Sequence, residues 1–241
     1  MKKVYYDFHI HSCLSPCADD DCTPNNIAGM AKLCELDMIA LTDHNTCKNC
    51  PAFFKACERY GIIPVAGMEL TTSEEIHVIC LFEKLDDAMA FDGEINTHRT
   101  LIENRKDIFG NQLILDGDDN VTDEDKYYLT VATDISIENV PELVEKYNGI
   151  CYPAHIDRQS NGIISVLGTF PETPEFKIIE FSTRDKIGEY VSKYSLQDKR
   201  IIISSDAHYL TDIRDKENYL EIKTDSKNDI KHTLFETLKT I

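Results

Sequence analysis

Apolar residues in this chain come in short runs, each followed by a stretch with helical spacing. Residues 4–8, 37–42, 62–68 and 76–82 read as four strands buried on both faces, because their apolar positions are nearly continuous and rich in Val, Ile and aromatic residues. Between them, Thr23 before Pro24 opens a helix whose apolar face is Ile27, Met30, Ala31 and Leu33. Residues 51–60 form another helix, closed by Gly61. The middle is less regular. Residues 85–108 have helical character, with Gly93 expected to break it, and 116–125 is an acidic excursion. That run is not a calcium loop, since Val121 stands where the loop's glycine belongs and Tyr127 where its glutamate belongs.

Beyond it, Ile137, Val140, Leu143, Val144 and Tyr147 mark a helix stopped by Asn148-Gly149. Residues 150–154, 176–181 and 200–204 read as strands and 220–222 as a short one. Ile230, Leu234, Leu238 and Ile241 mark a closing helix. Strand and helix alternate without repeats or linkers, so the expectation is a mostly parallel α/β fold in a single domain over residues 1–241.

With 42% hydrophobic residues the 241-residue chain can bury a sizeable core. No run reaches the roughly 18 apolar residues of a membrane span, and Met1-Lys2-Lys3 leads straight into a strand without a signal peptide's apolar stretch, so a cytoplasmic protein with no membrane partner is expected. The 9 cysteines are odd in number and the chain is not short, which favours reduced thiols. The net charge of −18 predicts no binding to long nucleic acid, but it suits divalent cations.

Chemistry concentrates where the strands end. His9 and His11 alternate on one strand face, and His44, Glu69, His155, Asp206 and His208 each lie within a residue or two of a strand's carboxyl end. His77 stands near the start of its strand and joins them if that strand runs the other way. Such ends converge on one rim, giving a cleft of imidazoles and carboxylates suited to zinc, iron or manganese. His98 and His232, in polar helical contexts, have no assigned role.

The stretches Asp7-Phe8-His9-Ile10-His11, Leu41-Thr42-Asp43-His44, Gly67-Met68-Glu69, Ile76-His77-Val78, Pro153-Ala154-His155 and Ser205-Asp206-Ala207-His208 together resemble the PHP (polymerase and histidinol phosphatase) superfamily of metal-dependent phosphoesterases, in the family's order. The resemblance implies a distorted (β/α)7 TIM-like barrel with two or three divalent ions on its rim. It implies that His9, His11, Glu69 and Asp206 hold one ion, that Glu69 bridges to a second held by His77 and His155, and that His44 and His208 hold a third. In the loop Cys13-Leu14-Ser15-Pro16-Cys17-Ala18-Asp19, Pro16 and Cys17 replace that third site's usual ligand, leaving Asp19 or the Cys17 thiol to serve.

The expected activity is hydrolysis of a small phosphorylated metabolite. Two ions about 3.5–4 Å apart acidify a water between them and clamp the phosphoryl oxygens. Glu69, Asp206, His208 and Asp43 are the expected catalytic residues, with Asp7 and Asp43 either orienting imidazoles or capping local turns. Arg158 and Arg184 are expected to bind the substrate phosphate. A nuclease or nucleotidase acting on nucleoside bisphosphates or short oligonucleotides is the alternative within hydrolysis, and a regulatory module with a vestigial site is the alternative outside it. Cys47 and Cys50 have the spacing of half a zinc knuckle with no second pair, so a local structural role is expected.

Overall fold

Three parallel strands carry the first motifs: β1 (Lys2–Asp7), β2 (Met38–Leu41) and β3 (Ile63–Thr71) lie side by side in the computed structural model, which describes residues 1–224 and 229–239. Next comes β4 (His77–Phe82), antiparallel to β3 because five residues link the two strands, too few for a crossover. A hairpin of β5 (Leu113–Leu115) and β6 (Val121–Glu124) then interrupts the sheet's path. The path resumes with β7 (Ile150–Pro153), antiparallel to β4, and continues with β8 (Ile178–Phe181) and β9 (Arg200–Ile203), a separate parallel pair. Finally β10 (Tyr219–Ile222) pairs antiparallel with β1.

The main sheet therefore has six strands, in the order β10-β1-β2-β3-β4-β7, and it curls as a half-barrel. Its open side is met by β8 and β9 through the single parallel bridge Ile10–Ala207 and the Ile156 N–H to Glu180 C=O bond of 2.9 Å. Among the described residues the strands do not pair as one continuous seven-stranded ladder: β4 is reversed by its five-residue link to β3, and β10 returns antiparallel to β1 after residues 204–218.

Apolar residues divide by strand face. Ile39, Leu41, Ala66 and Met68 pack beneath the helices Pro24–Leu33, Cys50–Tyr60 and Leu85–His98, while Val4, Tyr6, Phe8, Met38, Ala40 and Val65 line the curl with Leu234, Phe235 and Leu238 of the closing helix Ile230–Lys239. Ile241, expected in that helix, lies outside the described residues. Gly93 does not break Leu85–His98. The cost of a helical glycine, about 1 kcal/mol, is outweighed by the burial of Ala88, Phe91 and Ile95 on one face. The acidic excursion is the β5–β6 hairpin turn, where the Asp116 carboxylate accepts the N–H groups of Asp118 and Asn120. No helix among the described residues is long and apolar enough to cross a membrane.

Candidate metal centre

Strand ends deliver the polar residues to one place. β1 stops at Asp7, whose carboxylate accepts the N–H groups of His9 (3.3 Å) and Ser205 (3.1 Å), clipping the ends of β1 and β9 together. Phe8 lines the curl whereas Ile10 packs under the helices, so strict alternation lapses between them, and past that point both the His9 and His11 side chains meet Glu69 and Asp206. Glu69 sits within β3 and His44 is bridged to it just past β2, while His77 opens β4, whose reversal brings it to the same rim. His155 and Asp206 follow β7 and β9 with positive φ of 27° and 53°, a backbone state that costs on the order of 1–3 kcal/mol outside glycine and is common at functional sites.

Glu69 is the centre. Its two oxygens lie 3.3 Å from His9 Nε2, 3.2 Å from His11 Nε2, 3.1 Å from His44 Nδ1, 2.8 Å from His77 Nδ1 and 3.1 Å from His155 Nε2. Asp206 Oδ1 lies 3.1 Å from both His9 Nε2 and His11 Nε2, which are themselves 3.1 Å apart. Glu69, Asp206, His9, His11, His44 and His155 are all buried. His208, half-buried, donates from Nδ1 to the Asp206 carbonyl at 2.9 Å, so its Nε2 is the unprotonated nitrogen of the neutral ring. Together with Arg158, Ser160 and Asn161, several of these groups wall a cleft of about 110 Å³.

Electrostatically the cluster is incomplete. Burial opposes charge on Glu69, yet the surrounding His77, His9 and His44 hold its pKa well below the usual carboxylate value, and His9 and His11 depress Asp206 in the same way. Burial likewise opposes protonation of His9, but Asp206, Glu69 and Glu180 outweigh it and lift that imidazole well above its ordinary value. Burial also opposes protonation of His11, but the adjacent Asp206 and Glu69 carboxylates outweigh it and raise that ring to about 9. Burial and neighbouring imidazoles depress His44 well below its ordinary value and His208 to about 4. The carboxylates thus favour protonation of both rings, although nitrogens 3.1 Å apart share at most one proton between them. His44 Nδ1 and Glu69 Oε2, although close, are not aligned for a hydrogen bond with each other or with any other described group.

A divalent cation resolves that conflict. Ligand atoms about 2.0–2.1 Å from a tetrahedral ion are separated by about 3.3 Å, which is the spacing found among His9, His11, Glu69 and Asp206. Three groups could hold an ion: His9, His11, Glu69 and Asp206; His44, Glu69 and His77; and His11, His44 and His208. His155 also reaches Glu69, on the oxygen nearest His77.

Some expected residues do other work. Asp19 meets His208 through its backbone, its N–H bonded to the His208 carbonyl at 2.9 Å, but its exposed carboxylate accepts the N–H of Asp21 instead. Arg184 bonds Asn218 Oδ1 at 2.5 Å in a different groove. Arg158 does reach the cleft, where Nη1 ion-pairs with Asp206 Oδ2. Among the described residues Asp43 makes no hydrogen bond to an imidazole. It accepts the Ser12 N–H and the hydroxyls of Ser12 and Ser15, and burial raises its pKa against His11 and those hydroxyls. The thiols of Cys47 and Cys50 are buried against the Gly67 carbonyl at 3.2 and 3.7 Å, with no metal-binding group around them among the described residues.

Glu180 and Ser15 were missed from the sequence. Glu180 bonds His9 Nδ1 at 2.8 Å and takes the N–H of His155, and its signal was a lone carboxylate in the apolar run Ile178-Ile179-Glu180-Phe181. Ser15 bonds His11 Nδ1 at 3.0 Å and left no signal beyond lying four residues away.

The family model of the PHP domain matches residues 7–157. Among solved structures, the chain resembles the lesion-specific endonuclease Q of Pyrococcus furiosus, with TM-score 0.65 and 17% identity over 95% of this chain and 55% of that one. It also resembles endonuclease Q in complex with a 27-mer duplex carrying an abasic lesion at the active site, with TM-score 0.66 and 17% identity over 100% of this chain and 57% of that one. A metal-dependent phosphoesterase from Bifidobacterium adolescentis, described as putative, matches with TM-score 0.53 and 15% identity over 84% and 87% of the two chains. The chain spans little more than half the length of the endonuclease Q chains. No curated protein matches it in sequence at a significant level. The expectation that charge excludes long nucleic acid is overturned here, because a fold of this kind accommodates a DNA duplex, and net charge says little about the field at one cleft. The match over residues 7–157 identifies the chain as a member of the PHP domain family, whose members are metal-dependent phosphoesterases.

Proposed function

We propose that this chain hydrolyses a phosphoric ester with two divalent ions, zinc, iron or manganese, held by its histidines and carboxylates. His9, His11, Glu69 and Asp206 would hold one ion, and Glu69, His77 and His155, with His44 beside them, the other. When bound, such a pair acidifies a water and clamps phosphoryl oxygens. The observation that carries this reading is the single buried carboxylate of Glu69 with five imidazole nitrogens within 3.3 Å.

The chain's own residues do the rest. Arg158 spends one guanidinium nitrogen on Asp206 and leaves others for an anionic substrate in the cleft. His208, which burial and the neighbouring His11 hold neutral above about pH 4, keeps a ring-nitrogen lone pair suited to binding an ion rather than to donating a proton. Asn161 and Ser160 add neutral polar groups. A cleft of about 110 Å³ suits a phosphoryl group with the rest of the substrate outside, far below the ~300 Å³ of sites that enclose a whole ligand. This supports a small phosphomonoester as substrate.

A second reading, a phosphodiester within nucleic acid, is favoured by the endonuclease Q structures, one of which holds duplex DNA. The test is a panel of p-nitrophenyl phosphate, bis-p-nitrophenyl phosphate, phosphorylated metabolites and an abasic duplex, with protein loaded in turn with Zn, Mn and Fe. Metal-dependent monoester turnover is expected. Cleavage of the diesters alone would favour the second reading, and no hydrolysis with any metal would overturn both.

A further inference from the structure

The histidines of the first motif carry more instruction than their position. Ser15 Oγ has one proton and three neighbours: Asp43 Oδ1 at 2.7 Å, His11 Nδ1 at 3.0 Å and the His44 N–H at 3.2 Å. Asp43 takes only hydrogens from its surroundings, since its other bonds come from the Ser12 N–H (2.8 Å) and the Ser12 hydroxyl (2.6 Å). The Ser12 hydroxyl is itself held in that direction by the Asn49 side-chain amide and the Leu14 N–H, both of which it accepts. The Ser15 proton therefore goes to Asp43, the His44 N–H occupies one Ser15 lone pair, and only a lone pair is left to face His11. An imidazole nitrogen meeting a lone pair must carry hydrogen. His11 consequently carries hydrogen on Nδ1, which leaves Nε2, facing Asp206 and Glu69, as the atom available to an ion. His9 reaches the same state by a shorter route, Nδ1–H to the Glu180 carboxylate at 2.8 Å.

We infer that Ser15, polarised by Asp43, and Glu180 are positioning residues that fix the tautomer of His11 and His9 so that both Nε2 lone pairs are presented to the same ion. The inference rests on the reading that these histidines bind metal, and deepens it by naming which residues decide the ligand atom. The Ser15–Asp43 pair acts in series, which makes the arrangement testable: replacing Asp43 by Asn lets the amide donate to Ser15, turns the hydroxyl proton toward His11 Nδ1 and favours the wrong tautomer.

The experiment is zinc affinity of stripped protein, measured by competition with a chromophoric chelator, for wild type, Ser15→Ala, Asp43→Asn, the double variant and Glu180→Gln. Each single change is expected to weaken zinc binding by roughly 10–100-fold, as for other outer partners of ligating histidines. The double variant is expected to lose no more than the weaker-binding of its two parents, because both break one relay. In zinc-loaded wild type, long-range ¹H–¹⁵N correlations should show both rings protonated at Nδ1 and bound through Nε2. Ser15→Thr, which keeps the hydroxyl, should restore affinity and spectrum if Ser15→Ala fails to fold. Wild type that binds no zinc would overturn the metal reading itself. Wild type that binds zinc while Ser15→Ala and Asp43→Asn bind it within twofold, lose affinity additively, or show rings ligated through Nδ1 would overturn the tautomer assignment alone.

Discussion

Two buried carboxylates in this fold are surrounded in opposite ways. Asp125, beside the hairpin, accepts Arg99 through two nitrogens at 2.9 and 3.1 Å and Lys48 at 2.6 Å, and these partners lower its pKa to about 2 against the pull of burial. Its charge is matched by side chains of full charge at neutral pH, and nothing further is needed. Glu69 is ringed instead by imidazoles, only some of which are protonated, and with Asp206 it crowds nitrogen lone pairs at contact distance. The first arrangement fastens residues 99–128 to the body of the fold. The second is completed only by a cation from outside, and that difference separates a structural ion cluster from a binding site whose burial alone would be costly.

Changes that break this contrast differ in size. Glu69→Gln keeps shape and removes the shared charge. It is expected to cut kcat/KM on the order of 10³-fold or more, a loss of several kcal/mol of transition-state stabilisation, with metal content falling in parallel by elemental analysis. Arg158→Ala, which removes a cation from the cleft but no candidate ligand, should raise KM by about 10-fold, or roughly 1.4 kcal/mol, while metal stoichiometry is retained. Asp125→Asn should leave metal content and turnover as they are and lower unfolding free energy in urea by about 1–2 kcal/mol, discounted for the partial exposure of Lys48. The sign with pH follows from the depressed value. Asp125 stabilises fully above the unfolded carboxylate's 3.8 and loses that contribution as pH falls toward about 2, so wild type and Asp125→Asn should converge in stability across that window. Asp19→Asn and Arg184→Ala are expected to change metal content and kinetics by less than twofold, since neither side chain faces the cleft.

How much of this was legible in the sequence depends on the distance over which each feature is specified. Strand ends and the histidines on them are local patterns, whereas His77 was placed only on the condition that its strand runs the other way, which the antiparallel pairing of β3 and β4 meets. The helix through Gly93 was not legible, because its buried face of Phe91 and Ile95 outweighs a local preference. Nor were the partners of His9 and His11 legible. Glu180 lies 171 residues from His9 in sequence, and Ser15 acts only because Asp43 comes within 2.7 Å. The direction of the Asp19 carboxylate was not legible, since sequence offset gives none for a loop side chain, and net charge was misread as a statement about one face of the molecule.

The most direct measurement is metal stoichiometry. Stripped wild type and Glu69→Gln would be incubated with excess Zn or Mn, desalted and analysed for metal and protein together. Two ions per wild-type chain and fewer than one per Glu69→Gln chain are expected, because one carboxylate serves both positions. No ion retained by wild type, or two retained without the Glu69 charge, would contradict the view that this buried carboxylate is the shared anchor of a two-metal centre.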